Sequence, residues 1–204
     1  MAVLSATLAS VLLMGLGLSI VLMGTTEGVL AAHDRAGRAL REASLAAVHL
    51  AVADLRRQPS WSAALAAGAA PLSAAPGRAM DTSLTPAAPW GGATLDLRQL
   101  TVAVAAAADT GSGDPQLWRL YQSGSLSELI LGGPGGTAYI AAWVADDPAD
   151  GDGDPLVDAN GILAVRGVAY GPSGGMAVTA VSIRKTAPPA GPEEVRVLTF
   201  RPQP

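Results

Sequence analysis

The sequence predicts an α+β fold: a long N-terminal helix packed on a small antiparallel sheet, with a mixed helical and loop insertion between them. Three observations predict it. Residues 1–26 contain no ionisable side chain, and they run without proline into a second helical stretch that ends before Pro59. Along that stretch an apolar, alanine-rich stripe recurs at three- and four-residue steps. Beyond Thr137 the period changes to two, in strand-length runs separated by turn residues.

The helix accounts for residues 1–57 in two halves. Residues 1–24 are long enough, at ~1.5 Å per residue, to cross a ~30 Å hydrocarbon layer. A cleaved signal peptide and a buried core helix are the alternatives. The signal reading lacks a basic n-region, and the apolar run exceeds the usual 7–15-residue core. Residues 25–57 form the amphipathic half, with Val29, Ala36, Leu40, Ala43, Ala47, Ala51 and Leu55 in the stripe. A coiled-coil seam ordinarily uses Leu and Ile, whereas alanine suits close packing on a sheet or in a crowded bundle. Arginines follow the span and nothing basic precedes it, so the charge rule alone places the remainder in the cytoplasm. A short basic leader removed ahead of Met1 reverses that sign.

Residues 58–204 form the head. Within it, 58–135 reads as the helical and loop insertion and 137–200 as the sheet. Trp61 opens a short alanine-rich helix ending at Gly68, and residues 71–92 read as loop. Residues 95–108 fit a helix or a strand equally well. Asp114-Pro115 reads as an N-cap with proline at the first helical position, which predicts a helix over 116–122, and 125–131 adds a further turn. Strands are expected over 137–145, 162–170, 176–183 and 194–200, with 171–175 as a hairpin connection.

Composition excludes several classes of function. The chain has 204 residues, a charged share of 15%, a net charge of −4 and no basic run, so nucleic acid is a poor partner. Zero cysteines exclude disulfides, thiolate zinc sites and a cysteine nucleophile. The two histidines, His33 and His49, lie 16 residues apart on one predicted helix, hence ~24 Å apart, and cannot share a metal or a relay. Serines in Gln122-Ser123-Gly124-Ser125 have no histidine in the head to activate them. The expectation is therefore a protein that is not an enzyme. Trp61, Trp90, Trp118 and Trp143 are read as core anchors, with sugar stacking as the competing use.

Six carboxylates fall between Asp146 and Asp158 without a single cation. Asp150, Asp152, Asp154 and Asp158 occupy positions 1, 3, 5 and 9 of a calcium-loop spacing, and hard oxygen donors suit Ca2+. Against that reading, Pro155 stands where such a loop needs glycine, and Gly161 stands where it needs a bidentate glutamate. A solvated turn between two strands is the alternative.

The order of short motifs resembles the type IV pilin-like proteins, in particular the PilX-type minor pilins. The motifs are Met1-Ala2-Val3-Leu4, Gly15-Leu16-Gly17-Leu18, Thr25-Thr26-Glu27, His33-Asp34-Arg35 and Glu42-Ala43. In the far half they are Ala142-Trp143-Val144-Ala145-Asp146-Asp147-Pro148, Asn160-Gly161-Ile162 and Gly171-Pro172. The resemblance covers both ends and leaves 58–115 uncovered. It implies a minor pilin or pseudopilin of a type IV pilus or type II secretion-like filament. Such a subunit is held in the inner membrane by a single pass, with an extracytoplasmic head. Other pilins would be its partners through the N-terminal helix. A prepilin peptidase would process and methylate the chain at Met1. Ser5 stands where major pilins carry glutamate, which resembles the subunits placed at or near a filament tip. A membrane-anchored extracytoplasmic binding module, using the acidic loop, is the alternative function.

Overall fold

The computed structural model describes residues 2–66, 85–88, 90–92, 94–108, 117–129, 138–186 and 194–203. The architecture is α+β, as expected: α1 (Ala2–Leu55), α2 (Trp61–Ala66), α3 (Leu97–Ala108), β1 (Arg119–Ser125), α4 (Leu126–Leu129), β2 (Tyr139–Asp146), β3 (Ile162–Tyr170), β4 (Met176–Thr186) and β5 (Glu194–Gln203). Residues predicted as loop over 71–84 lie outside the described set.

The chain divides into two compact units, Met1–Ala39 and Leu40–Pro204. In the first, the most apolar stretch of the helix has none of its surface buried by the protein, and Val11, Leu13, Met14, Ile20 and Met23 are exposed. By length and composition this helix can cross a membrane, and an N-terminal signal sequence meets the same test.

The second unit is a sheet of five strands in the order β1-β2-β3-β4-β5, every neighbouring pair antiparallel. β2 is buried along its whole length, because helices cover both faces of the sheet above it. On one face, Val48, Ala51, Val52 and Leu55 of α1 and Trp61, Ala64 and Leu65 of α2 pack on Tyr121, Val144, Val165, Val181 and Ile183. On the other, Leu97 and Val104 of α3 pack on Trp118, Leu120, Tyr139, Trp143 and Val168.

The alanine stripe determines how closely α1 lies on the sheet. Ala43, Ser44, Ala47 and Ala51 are almost wholly buried, and the Ser44 hydroxyl shares a 2.8 Å hydrogen bond with Thr179. Beneath them β3 carries Gly167, where a Cβ would stand 2.5 Å from the Ser44 carbonyl oxygen and 2.7 Å from Val48 Cγ2. Farther along, Leu40 lies against Gly171 and Gly175 at the β3–β4 turn. These contacts align the axis of residues 40–55 with β3 and β4.

Two readings of the middle region are settled differently from one another. The ambiguous residues 95–108 are helical, because Asp96 caps them: its Oδ1 accepts from Arg98 N at 3.0 Å and Gln99 N at 3.1 Å. The expected helix over 116–122 is a correction, since Arg119–Ser125 is strand β1, paired with Tyr139–Val144. Leu120 packs on the α3 face and Tyr121 on the α1 face, and only an extended chain points consecutive side chains to opposite sides. The sheet accordingly has five strands rather than four, and its first lies inside the expected insertion.

Substituting Gly167 with alanine should lower stability by about 1–3 kcal/mol through overpacking against Ser44 and Val48. Gly151→Ala, a site with open space around it, is the control. Denaturant unfolding followed by tryptophan fluorescence distinguishes them, and equal midpoints for the two variants would contradict the close-approach account.

Candidate metal centre

The acidic run forms the connection from β2 to β3, residues 147–161, and its carboxylates first serve the chain itself. Asp147 Oδ1 accepts from Ala149 N at 3.3 Å, Asp152 Oδ1 from Asp154 N at 2.9 Å and Asp154 Oδ1 from Leu156 N at 3.0 Å. Each closes a small turn in place of a backbone partner. Asp150 Oδ2 reaches across the loop to Ala159 N and Asn160 N, at 2.8 and 3.2 Å. Asp158 Oδ1 accepts from Gly161 N and Ile162 N, at 2.7 and 3.2 Å, where β3 begins. Ser62 Oγ of α2 accepts from Asp158 N at 3.1 Å, tying the loop to the core.

Gly161, the residue that breaks the calcium-loop pattern, is required by the backbone. Its φ is +71°, and a Cβ there would stand 3.0 Å from the Lys185 carbonyl oxygen. Its own carbonyl accepts from Lys185 N at 2.8 Å. A glutamate cannot occupy this place without strain, so an EF-hand type of twelfth ligand is excluded by conformation.

The structure assembles a smaller group than the spacing suggests. One carboxylate oxygen from each of Asp146, Asp150 and Asp152 can be brought together, all within 4.8 Å of one another. Oxygens bound to a single Ca2+ at 2.3–2.6 Å lie at most ~5 Å apart, so this group is the right size to hold a metal ion. Of the residues expected from spacing, Asp150 and Asp152 belong to it. Asp154 and Asp158 lie outside it, each with an oxygen engaged in the turn hydrogen bonds described above. Asp146 is the member that spacing reasoning missed, because it stands four residues before the pattern starts. As the last residue of β2 it ends a buried strand, and that position was the available signal.

Electrostatics favour a cation here. Asp146 is only 8% exposed. Burial, reinforced by the charges of Asp150, Asp158 and Asp152 and opposed by a hydrogen bond from the Asp147 backbone, pushes its carboxyl up to about 6. Burial also raises Asp158 above the usual carboxylate range.

The tryptophans act as anchors of the core. Trp61, Trp118 and Trp143 are buried, and Trp90 is partly buried against the α3-side cluster. Trp61 Nε1 donates to the Leu55 carbonyl at 3.0 Å and Trp143 Nε1 to Thr101 Oγ1 at 2.9 Å. The Arg166 guanidinium lies 5.9 Å from the Trp118 ring centroid and donates to the Val104 carbonyl. Trp61, Trp118 and Trp143 therefore offer no open stacking face of the kind a sugar requires.

No protein-family model, curated protein or solved structure matches this chain.

The raised Asp146 has a definite sign in the pH dependence of stability. Its folded value, about 6, exceeds the ordinary 3.8, so the folded protein holds this proton more tightly than the unfolded chain does. The resulting stability is fully present below pH ~4 and is lost as pH rises through ~6, to a total of at most about 3 kcal/mol. Unfolding free energies measured without divalent cations should fall over that window, and Asp146→Asn should flatten the profile. A profile that the substitution leaves unchanged would refute the assignment.

Proposed function

We propose that the protein is a minor pilin or pseudopilin, a non-enzymatic structural subunit of a type IV pilus or type II secretion-like filament, placed at or near the tip. The observation that carries this reading is α1, one helix of 54 residues. Its N-terminal part exposes a membrane-length apolar surface, and its C-terminal part buries an alanine stripe on an antiparallel sheet. An apolar surface of that size is stable only in lipid or against other helices. A subunit that exchanges the first environment for the second is an assembly component. In this reading the inner membrane holds the helix, the head lies outside the cytoplasm, other pilins are the partners, and a prepilin peptidase processes a leader. Ser5 supports a tip position, since an unpaired carboxylate in hydrocarbon would cost several kcal/mol or titrate to neutrality.

The test is the mature terminus. Protein purified from the membranes of its producing cells should begin at Met1 with a methylated amine, read by intact and peptide mass spectrometry. A formylated start, or cleavage near Gly24, counts against the filament reading.

A second reading, a membrane-anchored binding module, is favoured by the Asp146, Asp150 and Asp152 group, with Ca2+ as its ion. Saturation at 100 times Kd adds ~2.7 kcal/mol, roughly 5–11 °C in melting temperature for a domain of this size. Millimolar Ca2+ should raise the melting temperature by that amount. Asp150→Ala and Asp152→Ala should abolish the gain, while Asp154→Ala, which removes only a turn hydrogen bond, should keep it. Identical melting curves in Ca2+ and in excess chelator would leave the acidic loop as a solvated turn.

A further inference from the structure

Asn160 is the only asparagine in the chain, and glycine follows it. Asparagine is thermolabile because the backbone nitrogen of the next residue can attack its side-chain carbon. Glycine in that next position leaves the approach open, since it carries no Cβ. The step forms a bond from Gly161 N to Asn160 Cγ and breaks the bond from Cγ to Nδ2. Nδ2 leaves as ammonia, taking the proton that Gly161 N gives up. Water then opens the resulting cyclic imide at either carbonyl, to aspartate or to isoaspartate. The sum is asparagine plus water to aspartate or isoaspartate plus ammonia, and no oxidant or cofactor enters it.

The loop ties down each group that this reaction uses. Gly161 N, the attacking atom, donates to Asp158 Oδ1 at 2.7 Å. Asn160 Oδ1 accepts from Ile162 N at 2.8 Å, and Nδ2, the leaving group, donates to Asp147 Oδ2 at 3.2 Å. The backbone on either side is held as well. Asn160 N donates to Asp150 Oδ2, and the Gly161 carbonyl accepts from Lys185 N. Asp158 is the centre of this arrangement. Its Oδ1 also accepts from Ile162 N at 3.2 Å, and its own backbone nitrogen donates to Ser62 Oγ of α2. Attack requires the Asn160 side chain and the Gly161 amide to turn toward each other. That rotation breaks the bonds to Asp158 first.

We infer that Asn160–Gly161 is a deamidation site that the Asp158 carboxylate holds closed. Opening of the β2–β3 connection releases it, and the change runs one way. The product brings a seventh carboxylate into a run that already has six. It stands beside Asp147, where a hydrogen bond becomes a repulsion between like charges. Isoaspartate also inserts one backbone carbon just ahead of the pairing of Ile162 with Arg184. A transient opening of the loop is thereby recorded as a permanent change in charge and register. This assignment depends neither on filament assembly nor on metal binding.

The experiment follows the full-length chain in neutral-lipid nanodiscs, with chelator present, during incubation at mildly alkaline pH. Peptide mass spectrometry reads the one-dalton gain at Asn160. The folded wild-type chain should deamidate at least tenfold more slowly than the same chain in urea. Asp158→Ala should deamidate at least tenfold faster than the wild type while still melting well above the incubation temperature. Ser62→Ala, which removes the anchor of Asp158 and leaves its carboxylate, should accelerate the reaction at least threefold. It decides the matter if Asp158→Ala does not fold. Asp154→Ala, which removes a turn hydrogen bond elsewhere in the loop, should stay as slow as the wild type. Equal rates for the folded and unfolded wild-type chain would overturn the inference, as would folded Asp158→Ala and Ser62→Ala variants no faster than the wild type. Equal acceleration by Asp154→Ala would also overturn it, assigning the protection to the loop at large rather than to Asp158.

Discussion

The contact between the Ser44 turn of α1 and Gly167 of β3 constrains the rest of the head. A helix backbone that approaches a strand so closely has room there only for alanine, serine and glycine, and those are the residues found. Close approach brings the α1 side chains farther along, Val48, Val52 and Leu55, into the layer where Val165, Val181 and Ile183 wait. It also draws Ser44 and Thr179 within hydrogen-bond distance, so the one hydroxyl pair buried in this interface is satisfied rather than costly. The Asp54 carboxylate closes the far end. Burial works against its charge, but hydrogen bonds from Arg57 and from the Tyr121 hydroxyl prevail and hold it below the usual range. That last bond fastens α1 to the bulged strand β1, and burial together with the Asp54 charge raises the phenol of Tyr121.

The acidic loop follows a different logic. Its amino acids are chosen mainly to replace missing backbone partners, and four of its aspartates do so within a few residues of themselves. Turn formation therefore consumes much of the acceptor capacity that a metal would otherwise use. What remains is concentrated where a buried strand delivers Asp146 against Asp150 and Asp152. Burial first, and the neighbouring carboxylates after it, raise the Asp146 carboxyl, which favours a proton there. A cation held by the same group would compete with that proton.

Much of this was legible in the sequence because period is a direct image of burial. The alanine stripe of α1, the four C-terminal strands and the short helix at Trp61 all follow from which positions must face inward. Strand β1 was hidden for a physical reason. Its consecutive large residues, Leu120 and Tyr121, serve opposite faces of a sheet covered on both sides, and a bulge removes the alternation that would have marked it. Asp114-Pro115, which offered a plausible helix start, lies outside the described residues, and Asp96, two turns before the buried Val104, caps α3. In the acidic run, spacing identified Asp150 and Asp152. It could not identify Asp146, because membership in that group is set by where β2 ends rather than by distance along the chain.

The buried face of α1 departs from an ordinary amphipathic helix in its share of small residues. A helix that packs on one surface needs a single apolar face. Residues 40–55 turn Ala43, Ser44, Ala47 and Ala51 toward the sheet, with Val48, Val52 and Leu55 buried in the same layer. Edge strands are ordinarily protected by charge or proline, and β5 follows the rule only at its ends, with Glu194 and Arg196 at one and Arg201 and Pro202 at the other. At its centre Val197, Leu198 and Phe200 are about half exposed, with Thr199 between them. Charge and proline at the two ends are thus what this edge supplies against pairing with another strand.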